Sequence, residues 1–138
     1  MIYHWEGKDA VAPIAAAIHL GYFPPSVKTG KELHFLLRQQ LPFRKGVGQR
    51  EVGTILQLGQ GRKGETVFIL AVGRKPDLVL KTINKMLPLL DEDPTNYLFI
   101  NCKAYLNRNN PMEVKARPRL CGWYNAIGQL VDQVQRNL

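Results

Sequence analysis

The first twenty-one residues, MIYHWEGKDAVAPIAAAIHLG, constrain the fold more than any other stretch. Ile2, Tyr3 and Trp5 supply β-branched and aromatic side chains for a strand of about five residues, and Glu6, Gly7, Lys8 and Asp9 interrupt it. Pro13 is tolerated only in a first helical turn. A helix therefore starts between Ala10 and Pro13, with Asp9 able to cap it, and ends at His19 or Leu20 before a left-handed Gly21. Ala15, Ala16 and Ala17 give that helix a thin face suited to lying close against a sheet. A strand that feeds a helix through a short loop aims the helix's unpaired amides at whatever occupies the loop, and the usual occupant is an anion.

Farther along, Pro24 and Pro25 stop any helix, and Thr29 with Glu32 three residues on resembles a capping box. It opens a second helix through about Gln40, with Leu33, Leu36 and Leu37 on its apolar face. The stretch PFRKGVGQR at 42–50 reads as an exposed loop. Val52 to Leu58 and Thr66 to Val72 are β-rich runs around the turn GQGRKGE, which predicts an antiparallel hairpin. Pro76 and Asp77 begin a helix whose apolar positions Val79, Leu80, Ile83, Met86, Leu87 and Leu90 fall at helical spacing. A fourth strand is expected over 97–102. Lys103 to Leu120 carries five cations against the single acid Glu113, with two prolines and no period, and reads as irregular. Trp123, Ile127, Leu130, Val131, Val134 and Leu138 mark a closing amphipathic helix.

Strands alternating with helices predict an α/β, Rossmann-like chain forming a single-domain layered fold over residues 1–138. Its mixed, mainly parallel four-stranded sheet is flanked by helices. Strands one, three and four are expected parallel, with the second antiparallel at or near an edge. At 138 residues such a chain buries a core without a metal or disulfide staple. Cys102 and Cys121 are too far apart for a Cys-x-x-Cys pattern, and three histidines without close spacing predict neither a metal site nor a cofactor. Apolar runs fall well short of the ~18 residues that span a bilayer, so no membrane role is expected. The start opens directly on a strand without a basic stretch or cleavage site, and the expected compartment is the cytoplasm. The net charge of +8 favours phosphate-bearing partners.

In the expected topology the carboxyl ends of the parallel strands gather Lys8, Arg74, Lys75, Lys103 and Arg108 on one rim, beside Gly7 and Asp9 of the first loop. His4 is the histidine expected to face that rim, and an exposed Trp5 would anchor a partner. His19 and His34 fall in helices away from it and read as structural. The glycine-rich 59–64 stretch lacks the phosphate-loop spacing and precedes a strand, so it reads as a turn. Arg44, Lys45, Arg50, Arg62 and Lys63, with Phe43 beside them, form a second basic group that suits a nucleic-acid backbone or a ribosomal surface. A third reading is an enzyme acting through His4 or through Cys102, whose thiol Lys103 would activate.

The opening IYHWEGKDAVAPIAAAIHLG resembles an uncharacterised family of Firmicutes, a domain of unknown function. There Ile-Tyr-His leads through a cysteine, a glycine pair and a His-Ser-Ser segment to an Ala-Ala-Ala-Ile-His-Leu-Gly helix. The likeness continues through Leu58-Gly59, the Val-Gly-Arg-Lys-Pro run at 72–76, the Phe-Ile-Asn run at 99–101 and the last helix. This chain has Trp5 in place of the family's cysteine, Lys8 in place of its second glycine and Ala10 in place of its histidine. Val11 and Ala12 replace the serine pair. A low-pKa thiolate and phosphate-donating hydroxyls are thereby lost, while a lysine is gained. The resemblance thus implies a non-catalytic protein. It would bind a phosphate-bearing small molecule or a protein partner, either another copy of itself or a paralogue that keeps those residues.

Overall fold

The structure, a computed structural model, describes residues 1–39, 51–109 and 120–138. Four strands, β1 (Ile2–Trp5), β2 (Ile55–Gln60), β3 (Thr66–Ala71) and β4 (Phe99–Asn101), form one mixed sheet in the order β2-β3-β1-β4. The helices are α1 (Val11–His19), α2 (Gly30–Leu37), α3 (Pro76–Leu89), α4 (Cys102–Asn109) and α5 (Leu120–Arg136). β1 pairs parallel with both β3 and β4, setting His4 against Leu70 on one side and Asn101 on the other. β2 pairs antiparallel with β3 at the edge, with a register shift between Gln57 and Gly59. The expected α/β architecture and strand directions are those observed.

Chain direction explains the layering. The crossover from β1 carries the chain toward β3, and the crossover from β3 carries it back past β1 to β4. Right-handed connections in opposite senses place their helices on opposite faces. α1 accordingly packs with α4 and α5 over Tyr3, Trp5, Val67, Ile69 and Ala71. α3 lies on the other face over Ile2, Leu70 and Val72. As the central strand, β1 is buried along its whole length.

α1 follows the expected bounds. Asp9 Oδ1 accepts the Val11 amide at 3.0 Å, Gly21 closes the helix at φ 82°, and Ala12, Ala15, Ala16 and Ala17 are fully buried. Thr29 caps α2 by accepting the Glu32 amide at 3.2 Å, although α2 ends at Leu37 rather than near Gln40. The double-proline segment is laid onto α5. The Tyr124 hydroxyl donates to the Pro24 carbonyl at 2.6 Å, and the Asn125 side chain bonds both backbone groups of Val27. Gly128 makes this approach feasible, since a Cβ there would stand 1.7 Å from the Pro25 carbonyl oxygen.

Two expectations are corrected. β4 stops at Asn101, and Cys102, expected in the strand, opens α4, which runs to Asn109 through the start of the stretch expected to be irregular. Cys102, Tyr105 and Leu106 share one helical face and are buried, and Asn101 Oδ1 accepts the Ala104 amide at 2.9 Å to start the turn. Counting cations over the whole stretch hides this spacing. On α3, Val79, Leu80 and Ile83 pack against the sheet, whereas Met86 and Leu90 are exposed. A 14-residue helix spans about 21 Å, roughly twice the reach of a three-residue or four-residue strand, so its far end overruns the sheet. Among the described residues no helix is long and apolar enough to cross a membrane.

Candidate functional site

At the carboxyl ends of β3, β1 and β4 the outgoing connections diverge, α1 to one face and α3 to the other. Such a divergence opens a crevice, the customary ligand position in open α/β sheets. Two further backbone bonds tie its mouth together: the Val72 amide donates to the Trp5 carbonyl at 2.8 Å and the Gly73 amide to the Glu6 carbonyl at 3.0 Å. Gly73, at φ 66°, then turns the chain off β3 and sets Arg74 at the edge. The crevice is a polar cleft of about 380 Å³ bordered by Glu6, Arg74, Asn101, Lys103 and Asn107.

Glu6 is the electrostatic hub of the rim. Lys103 Nζ donates to its Oε2 at 2.6 Å, and Lys8 Nζ lies 3.8 Å from Oε1. The hydrogen bond and charge of Lys103 lead in holding the Glu6 carboxyl below its ordinary pKa, with Lys8 and Arg74 adding to the effect. Three of the five expected rim cations therefore act on one carboxylate. Lys75 stands exposed at the start of α3, and Arg108 is exposed at the last turn of α4; neither borders the cleft.

The first loop is filled from within. Trp5 is 2% exposed rather than an open anchor, and its Nε1–H donates to the Asp9 carbonyl at 2.9 Å. Asp9 already occupies the Val11 amide, and Pro13 has no amide to offer. The α1 terminus is thus capped by the protein's own carboxylate, and Gly7 of the same loop, at φ 108°, is buried. The open polar volume lies on the β3 and β4 side of this loop.

His4, expected to face the rim, is 3% exposed, and strand alternation turns it to the α3 face with Leu70, Val72 and Asn101. Its Nδ1 has no hydrogen-bond partner among the described residues. Burial lowers its pKa, so the ring is neutral at physiological pH and adds no charge to the cleft. Cys102 is also sealed. Burial pushes its thiol far up and Asp9 adds to that, so Lys103, although adjacent, does not activate it. Among the described residues no group of three His, Cys, Asp or Glu is placed to hold a metal ion.

On the α1 side of the Glu6–Lys103 pair lies a second hollow of about 320 Å³, walled by Ala10, Val11, Leu37, Leu106 and Trp123. A third, of about 470 Å³, lies at the opposite end of the sheet and includes Arg62 and Lys63. There Lys63 Nζ donates to the carbonyls of Gln135 and Leu138 at 3.2 and 2.9 Å. These two members of the second basic group are thus far from Lys8 and Lys103; Arg44, Lys45 and Arg50 lie outside the described residues. Beside them His19, read from sequence only as a helix histidine, bridges Tyr3 and Glu65: Nδ1 is 2.7 Å from the Tyr3 hydroxyl and Nε2 is 2.6 Å from Glu65 Oε1. That bridge fastens α1 to the hairpin. Its sequence signal was a histidine at the end of an otherwise wholly apolar helix.

Neither the curated proteins nor the solved structures contain a match to this chain. The family described as "Protein of unknown function (DUF3189)" matches residues 1–135, which is nearly the whole length, and the chain belongs to that family.

Proposed function

We propose that this protein is a non-catalytic binder of a phosphate-bearing small molecule, held in the polar cleft at the carboxyl ends of β3, β1 and β4. The observation that carries the reading is the convergence of Lys103, Lys8 and Arg74 on Glu6. Three cations against one acid leave a positive local potential, and Glu6 is the internal anion that this group already attracts. Lys103, which borders the cleft, keeps more than half of its side-chain surface in solvent, so its ammonium group remains within reach of a ligand, while Lys8 adds positive potential from beside Glu6. A phosphate dianion, with more charge and more acceptor oxygens than a carboxylate, competes with Glu6 for Lys103.

Binding rather than catalysis is favoured by the two candidate reactive groups, since the Cys102 thiol is buried and protonated and His4 is buried and neutral. Neither meets the requirement for an activated nucleophile or an accessible base.

Calorimetric titration with a nucleotide panel and inorganic pyrophosphate tests the reading. Lys103→Ala is expected to weaken binding about tenfold, the loss typical of one charge-assisted hydrogen bond, and Glu6→Gln to strengthen it by removing the competing carboxylate. Absence of heat with every phosphate compound rejects the reading.

A further inference from the structure

We infer that the ligand is amphipathic, an aromatic or otherwise apolar body carrying an anionic group. The polar cleft and the neighbouring hollow would then be two halves of one site. The inference rests on the anion reading above and extends it to the ligand's chemical class.

Continuity is the first argument. The two volumes share Trp5, Glu6, Lys103 and Asn107 as walls, and the Glu6–Lys103 pair lies on their common border. That pair is two flexible side chains at the surface, not backbone. An anion that draws Lys103 away from Glu6 widens that border, so that filling one half opens the way to the other. At about 320 Å³ the hollow is at the lower end of small-molecule sites, enough for a fused ring but not for a whole large ligand.

The lining is the second argument. Ala10, Val11, Leu37, Leu106 and Trp123 are apolar walls, and Glu6, Asp9, Lys103 and Asn107 are the polar ones. Those nearest α1 are already engaged: the Asp9 carbonyl accepts from Trp5 Nε1, and Asp9 Oδ1 accepts from the Val11 amide. A polar body placed against the five apolar walls would lose its hydration without finding partners there, whereas an apolar one gains by leaving water. Leu37 is left 40% exposed and Trp123 only partly buried, so both present apolar surface to an occupant. The charge placement completes the match, because Lys103 borders both volumes and Arg74 lies on the polar side alone. A ligand with one apolar end and one anionic end fits this arrangement in one direction only.

The test uses the full chain with 1-naphthyl phosphate, inorganic phosphate and 1-naphthol, followed by calorimetry and by the fluorescence of the two tryptophans. Naphthyl phosphate is expected to bind about tenfold or more tighter than inorganic phosphate, and naphthol only weakly. Leu37→Ser, a change at a part-exposed position, is expected to lower affinity for naphthyl phosphate about fivefold and for inorganic phosphate much less. Trp123→Leu, which keeps an apolar side chain on α5, serves as the second variant and is expected to act in the same selective way. If naphthyl phosphate binds no tighter than inorganic phosphate, or if Leu37→Ser weakens both equally, the apolar half is rejected while the anion site stands. If neither compound binds, both readings fall together.

Discussion

His4 sits on the central strand, where every side chain is buried, and strand alternation sends this one toward α3. Because burial lowers its pKa below the ordinary 6.5, the unfolded chain binds a proton between that value and the folded value while the native chain does not. Stability is therefore complete above the unfolded pKa and declines as the pH falls through this window. Urea unfolding is expected to show a lower midpoint at about pH 5.5 than at about pH 7.5, and His4→Phe is expected to reduce that difference. An unchanged difference in the variant would assign the pH dependence to other groups. Glu65 contributes at lower pH. Its burial acts upward, but the hydrogen bonds from His19 and the Lys63 amide outweigh it and leave its pKa depressed, so its contribution is lost only in acid.

At the level of elements, the parts that carry a strong period were legible: α1 with its proline and glycine limits, the hairpin, the inward side of α3, and α5. What local sequence did not disclose was decided by contacts distant along the chain. α4 depends on the alignment of Cys102, Tyr105 and Leu106 under α1 and α5, and within a run of cations that spacing is faint. The gathering of Lys8, Arg74 and Lys103 followed from strand order and could be anticipated, whereas their common dependence on Glu6 could not, because Lys103 and Glu6 are 97 residues apart. The junction between α5 and the double-proline segment gives the sharpest stability test. Gly128→Ala drives a methyl group into the Pro25 carbonyl, and since the obstacle is backbone, the helix must move off Tyr124 and Asn125's partners. A loss of about 3 kcal/mol is expected by chemical denaturation, against a few tenths for Gly64→Asn at the hairpin tip, where φ is 82° and nothing crowds the Cβ.

Over the whole molecule, the two faces of the sheet are covered unequally. One carries α1, α4 and α5, with α2 against α5, over a large core; the other carries α3 over a small one. α3 has no fully buried residue, and Leu78 and Leu89 are 64% and 83% exposed. Local opening is governed by how much apolar surface a segment buries, so α3 is expected to exchange its amide hydrogens with solvent faster than α1 and α5. Its first turn, at Pro76, borders the polar cleft. A ligand in the cleft would therefore hold the start of a helix with no fully buried residue. With bound phosphate ester, exchange is expected to slow along α3 and to change little along α1, and equal slowing in both helices would contradict this coupling. The overrun of α3 beyond a short sheet thus makes the thin side of the protein the one expected to respond: occupancy at one end of the strands would be felt as order in a helix that the core alone does not fully secure.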